Sequence, residues 1–294
     1  MKDAVRLLVY LLATVLLGAL LAPPLFWAAQ SLATHGWLTF LGRFDFETFF
    51  HRALLIAAAI ILWPFAHSLS VRNLADLQIE PNPRWRRDLL FGFIFAAIPL
   101  LCCGAVLLAT PIFSLRGTID WAAVAKVAAA AAVVPLIEEV FFRGLVLGVF
   151  LKTGHRYMSI FVSSVLYSIV HFLKAPDRTS PDVTWTSSFN SIAHAFVQFT
   201  DPLLVAAGFT TLFLIGLILA DARLQTRSLW LPIGLHAGWI FTAGVFNKIA
   251  LRKLIVLPWL GKNLLVGIIP LAVALLTWLI MRSWLRYKNV PDTN

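Results

Sequence analysis

Charged side chains are scarce in this chain. Asp, Glu, Lys and Arg make up 13% of its 294 residues, against about one quarter in a soluble domain. With 60% of residues hydrophobic, that shortage excludes an ordinary water-soluble globule and leaves a polytopic membrane protein. Cysteine is nearly absent. Cys102 and Cys103 are adjacent in an apolar run, so they offer neither a disulfide framework nor metal-ligand spacing. They read as small core or lipid-facing residues. There is no Gly-rich phosphate loop, no Ser nucleophile motif and no HExxH sequence, which removes the commonest nucleotide, serine and zinc hydrolase signatures. No internal repeat is visible, which speaks against transporter folds built from duplicated halves. No Lys/Arg-rich run or zinc-finger spacing supports nucleic-acid binding. The net charge of +10 fits basic loops beside anionic lipid.

What is present is long apolar runs. Eight segments reach, or nearly reach, the length of about 20 residues that spans a bilayer: 7–29, 53–70, 89–112, 121–150, 157–173, 202–220, 229–247 and 264–281. The expected fold is all-α, a polytopic transmembrane helix bundle of about eight spans forming one integral membrane domain over 1–294. The first run follows Lys2 and Arg6, as in a signal peptide, but is too long and lacks an Ala-x-Ala site; it reads as a retained span. Pro23-Pro24 and Pro135 mark expected kinks or interruptions. Arg72, Arg84, Arg86, Arg87, Lys152, Arg156, Arg223, Arg227, Arg282, Arg286 and Lys288 fall on one side if both termini are cytoplasmic. Lys248, Arg252, Lys253 and Lys262 run against that orientation. Most of the eleven Trp, Trp230 and Trp259 among them, suit an interfacial belt. The longest polar stretch, 174–201, contains Pro176, Asp177, Pro181, Asp182 and Asp201. Its 189–199 portion reads either as a short interfacial helix or as an ordered loop. His194 and Asn190 there read as facing water.

The fourth span carries Glu138-Glu139-Val-Phe-Phe-Arg143-Gly144. Each charge near a bilayer centre costs about 2.5–3.5 kcal/mol, so intramembrane ionisable groups are functional candidates by default. Glu139 and Arg143 are spaced i,i+4 with the acid first, the favourable order for an ion pair. Adjacent helical residues point about 100° apart, so Glu138 is expected to face elsewhere, on the side of Val134 and Phe142. The plain alternative is a static polar network. Gly144 is expected to permit a close helix approach.

Two further spans carry one histidine each, His171 and His236. A lone intramembrane histidine is as a rule a hydrogen-bonded packing residue. Two of them on separate helices, beside an unpaired glutamate, are the ingredients for activating water and stabilising an oxyanion. Glu138, His171 and His236 would also make a three-ligand zinc set. Gly234 and Gly238 flank His236 at a spacing that favours close helix packing.

Three elements therefore stand in order: Glu138-Glu139-x-x-x-Arg143, Tyr167-x-x-x-His171 and His236. Together they resemble the CAAX protease and bacteriocin-processing family of Rce1-like, or ABI, intramembrane proteases. The resemblance covers about 121–245. The run from Gly216 to Ala220, then Thr226-Arg-Ser-Leu-Trp230 and Gly234-Leu-His236, also looks like the family's approach to its third motif. The resemblance implies an active site within the membrane and hydrolysis of a peptide bond in a membrane-associated or lipid-modified peptide. It implies that Glu138 and His171 activate water, that His236 stabilises the oxyanion, and that Glu139, Arg143 and Tyr167 support them. Two positions depart from the family pattern. Tyr167 stands where Phe is usual, which keeps the aromatic ring. Ile240 stands where Asn or Asp is usual, and an apolar side chain cannot donate to an oxyanion. Trp239 and Asn247 are the candidate substitutes.

Two other functional classes fit parts of the pattern. Ile240 suits a non-catalytic membrane scaffold or bacteriocin-immunity factor. A Glu/His chain also suits a proton-coupled transporter. Within the peptidase reading the expectation is no cofactor, with zinc the alternative. The expected partners are a membrane peptide or protein substrate and the bilayer, with no nucleic acid, and the expected location is the cytoplasmic membrane. Depth poses one difficulty. At about 1.5 Å per residue, His171 lies roughly 22 Å along its helix from Arg156 and His236 about 13 Å from Arg227.

Overall fold

The computed structural model describes residues 2–69, 71, 73–152, 154–172, 182–254, 256–261 and 264–288. In chain order the main elements are α1 (Lys2–Thr34), α2 (Phe46–Ser68), α3 (Trp85–Leu108), β1 (Phe113–Leu115) and α4 (Trp121–Glu139). A wide π-helical segment, Val140–Val146, leads from α4 into α5 (Leu147–Leu151). Then come α6 (Arg156–Phe172), α7 (Ser187–Val197) and α8 (Pro202–Leu204), with a second π segment, Val205–Phe209, feeding α9 (Thr210–Thr226). The last elements are α10 (Trp230–Ile249), β2 (Ala250–Arg252) and α11 (Ile268–Lys288).

Among the described residues, five helices are long and apolar enough to cross a membrane: Val5–Thr34, Phe46–Ser68, Trp85–Leu108, Pro202–Thr226 and Ile268–Tyr287. The chain is an all-α polytopic membrane protein, but this is fewer spans than the eight expected. The remaining long helices, α4, α6 and α10, carry Glu138, His171 and His236. Helix α6 has 17 residues and α4 has 19 before its winding changes. Helix α10 has 20 residues and includes His236, Asn247 and Lys248.

The chain divides into two compact units, residues 1–72 with 173–201, and residues 73–172 with 202–294. In the first, α1 and α2 pack through Ala19, Ala22, Ala53, Phe46 and Phe50. Asp45 caps α2 by accepting from the Thr48 N–H at 3.1 Å, one of the first-turn donors that a helix leaves unsatisfied. Of the kinks or interruptions expected at Pro23 and Pro24, no interruption occurs: helix α1 runs through both. The 189–199 stretch is helical in α7, with small residues Ser188, Ser191 and Ala195 buried. Trp27 donates to the Val183 carbonyl at 3.3 Å. Pro176, Asp177 and Pro181 of the polar stretch lie outside the described residues, as does Lys262.

In the second unit, glycines bring α10 against α3. A Cβ on Gly234 would sit 2.2 Å from the Leu89 carbonyl oxygen, and one on Gly238 would sit 2.5 Å from that of Phe93. On the facing helix, a Cβ on Gly92 would come within 2.5 Å of the Leu231 oxygen. Backbone-to-backbone contact of this kind is how small residues bind membrane helices together. Gly216 of α9 abuts Ser164 of α6 in the same way, at 3.0 Å. Gly144 behaves differently: its neighbours would lie at an ordinary 3.7 Å, so no close approach depends on it. A short antiparallel ribbon, not expected from the sequence, pairs β1 with β2, Phe113 opposite Arg252 and Leu115 opposite Ala250.

Candidate functional site

Helix α4 starts where Asp120 Oδ1 accepts the Ala123 N–H at 3.0 Å. An alanine-rich run carries it inward with high helix propensity. Pro135 lies inside the helix without breaking it, although it deprives the Ala131 carbonyl of its helical donor. Glu138 and Glu139 are the last two residues before the π segment, which contains Arg143. Single π turns inside helices are frequent at functional sites.

Three helices meet at these carboxylates. His171 of α6 places Nε2 3.0 Å from Glu138 Oε2. His236 of α10 places Nε2 3.7 Å from the same oxygen, too long for a direct hydrogen bond. Both contacts use Oε2; among the described residues Oε1 of Glu138 accepts no hydrogen bond. The axial offset between the two histidines therefore does not keep them apart.

The ring orientations are fixed from behind. His171 Nδ1 donates to the Tyr167 carbonyl at 2.8 Å, one helical turn back. A carbonyl can only accept, so Nδ1 carries a hydrogen, and the contact between Nε2 and Glu138 then requires a proton shared by the pair. His236 Nδ1 donates to Glu139 Oε1 at 2.8 Å, which leaves Nε2 directed toward Glu138. The same Oε1 receives Arg143 Nη1 at 3.1 Å. Arg143 Nη2 reaches the Gly216 carbonyl at 3.4 Å, tying α9 to the network.

The i,i+4 ion pair is thus present, and Glu139 does more than pair with Arg143. The two adjacent glutamates nevertheless meet one and the same ring. One imidazole lies between them, Nδ1 on Glu139 and Nε2 toward Glu138. The ring of His236 is large enough to join two directions that a helix separates.

Tyr167 is the aromatic floor of this cluster. It is buried, its ring centroid is 4.1 Å from that of His171, and Arg143 stands over it at 4.2 Å. Phe142 meets Tyr167 edge-on at 5.2 Å. Exposure divides the residues into two groups. The side chains of Glu139, Arg143 and His236 are 0%, 3% and 6% exposed, whereas Glu138 and His171 are 26% and 25% exposed. Glu138 and His171 are thus partly exposed, while the Glu139–Arg143 pair is buried.

Ile240, one turn after His236, brings no polar atom. Neither Trp239 nor Asn247 hydrogen-bonds to Glu138, His171 or His236. His194 lies on α7 with Nδ1 donating to its own Asn190 carbonyl at 2.7 Å. Among the described residues no group of three His, Cys, Asp or Glu side chains is arranged to hold a metal ion.

No curated protein and no solved structure matches this chain. The family model described as "Type II CAAX prenyl endopeptidase Rce1-like" does match, over residues 120–242. That stretch begins at the Asp120 cap of α4, ends within α10, and includes Glu138, Glu139, Arg143, Tyr167, His171 and His236. The segment that builds the Glu-His cluster is therefore the part of the chain similar to that family, the one its ordered motifs resemble.

Proposed function

We propose that the protein is an intramembrane endopeptidase that hydrolyses a peptide bond in a membrane-associated or lipid-modified peptide, with Glu138 and His171 activating water. The observation that supports this most is the convergence of His171 Nε2 and His236 Nε2 on one oxygen of Glu138, at 3.0 and 3.7 Å, from three different helices. Water bound at Glu138 gives a proton to the carboxylate, helped by the hydrogen bond from His171. The resulting hydroxide oxygen bonds to the peptide carbonyl carbon. His236, held by Glu139 through Nδ1, donates from Nε2 to the oxyanion when the ring is protonated. The proton held by the Glu138–His171 pair then passes to the leaving amine as the C–N bond breaks. Preorganised donors of this kind act most strongly where water is excluded.

The route needs no metal ion. Elemental analysis of the purified protein, with turnover measured before and after a chelator, checks this; stoichiometric zinc required for turnover would overturn it. The catalytic proposal is tested by Glu138→Gln, which keeps the shape and removes the base. Cleavage of membrane peptides, compared with wild type in cells, should fall by about 10²–10⁴-fold while the thermal unfolding midpoint stays close to that of wild type. Equal turnover by the variant would remove Glu138 from the chemistry.

Ile240 favours a second reading, a non-catalytic scaffold or immunity factor. Full biological activity in a variant lacking Glu138 and both histidines would select it.

A further inference from the structure

A cavity of about 580 Å³ lies where the end of α9 approaches the start of α6, and none of Glu138, His171 and His236 lines it. Its walls include three arginines, Arg156, Arg223 and Arg227, one acid, Glu80, and apolar side chains such as Ile79 and Leu224. Arg227 is neutralised: Nη1 meets Glu80 Oε1 at 2.8 Å in an exposed pair. Arg156 is exposed.

Arg223 is the unusual member. It is 1% exposed, and Nη2 donates to the Leu77 carbonyl. Its Nε is also buried and has no hydrogen-bond partner among the described residues, and no carboxylate there lies within ion-pair distance. One bond to a neutral carbonyl caps a turn but leaves the charge uncompensated. A buried cation with no counter-charge is costly and signals a missing anion. A structural role at Leu77 would account for one N–H of the five a guanidinium offers. It would not account for two more arginines around the same space.

The guanidinium fork matches phosphate oxygens in geometry as well as charge. Basic pockets between transmembrane helices are where anionic headgroups settle. The apolar walls beside the arginines suit a ligand that carries both a phosphoryl group and hydrocarbon. We propose that this cavity binds a phosphoryl group through Arg223 and Arg156, supplied by an anionic phospholipid headgroup or by a soluble phosphate.

The test uses the full-length protein in phosphatidylcholine nanodiscs, with and without phosphatidylglycerol, and a separate titration of inorganic phosphate into the phosphatidylcholine discs. Native mass spectrometry reads retained lipid, and the unfolding midpoint reads stabilisation. Wild type should retain phosphatidylglycerol in preference to phosphatidylcholine, and Arg223→Gln should weaken that retention roughly tenfold, as expected for one lost charge-assisted hydrogen bond. Arg156→Gln changes an exposed residue and should weaken it in the same direction, so the proposal stays testable if Arg223→Gln does not fold. Stabilisation by inorganic phosphate alone, lost in the same variants, would identify a soluble source; a response to phosphatidylglycerol only would identify the lipid. A preference for phosphatidylglycerol that survives in both variants, or no response to either ligand, would overturn the site.

Discussion

At the scale of single residues, the cluster is a division of labour between two adjacent acids. Glu138 is partly exposed and meets His171; Glu139 is buried and holds Arg143 and His236. Because Glu139 compensates two buried partners, Glu139→Ala should cost about 3–5 kcal/mol of stability, the usual penalty for orphaning a buried charge. A fall in the unfolding midpoint much larger than that of Glu138→Gln is the expected measurement. Ile240 is the position where a polar residue is worth adding. Ile240→Asn places a donor one turn beyond His236 and should raise turnover, by up to the roughly 10²–10³-fold that one oxyanion donor supplies. An unchanged rate would mean that another group already serves. The Glu139–Arg143 pair could be read directly from i,i+4 spacing. The bond from Glu139 to His236 could not, since it depends on which face α10 turns toward α4. Spacing within one helix carries no information about the partner's rotation.

At the scale of elements, glycine contacts set where His236 stands. Gly234 and Gly238 let α10 lie against the backbone of α3, with no room for a methyl group. Gly234→Ala forces a Cβ against the Leu89 carbonyl oxygen. It should cost about 1–3 kcal/mol by overpacking and lower turnover together with stability, because the whole helix must shift to admit it. Unfolding midpoints and cleavage rates, measured side by side, check this. The flanking glycines were legible in the sequence as a packing signal, and so was the order of the motif-bearing helices. The π turn at Val140–Val146 was not legible. Nothing in Val-Phe-Phe-Arg-Gly distinguishes it from an ordinary helix, so local propensity does not announce the change in winding.

At the scale of the whole molecule, the apolar composition announces a membrane protein, and five of the described helices are long and apolar enough to cross a membrane, against eight expected. Helices α4, α6 and α10, which bring Glu138, His171 and His236, are not among those five. The basic residues still predict an orientation. Single cysteines at Lys2 and Arg286, in a chain lacking Cys102 and Cys103, should react with an impermeant thiol reagent only from the cytoplasmic face, and one at Arg252 only from the opposite face. The reverse pattern would invert the bundle. The β1–β2 ribbon has a consequence of its own. It joins the chain just ahead of α4 to the chain just after α10, so it acts as a vernier between the helices bearing Glu138 and His236. Slippage of that pairing by a single residue would translate one helix along the other by about 3.4 Å, several times the misplacement of about 1 Å that already cripples a catalytic centre.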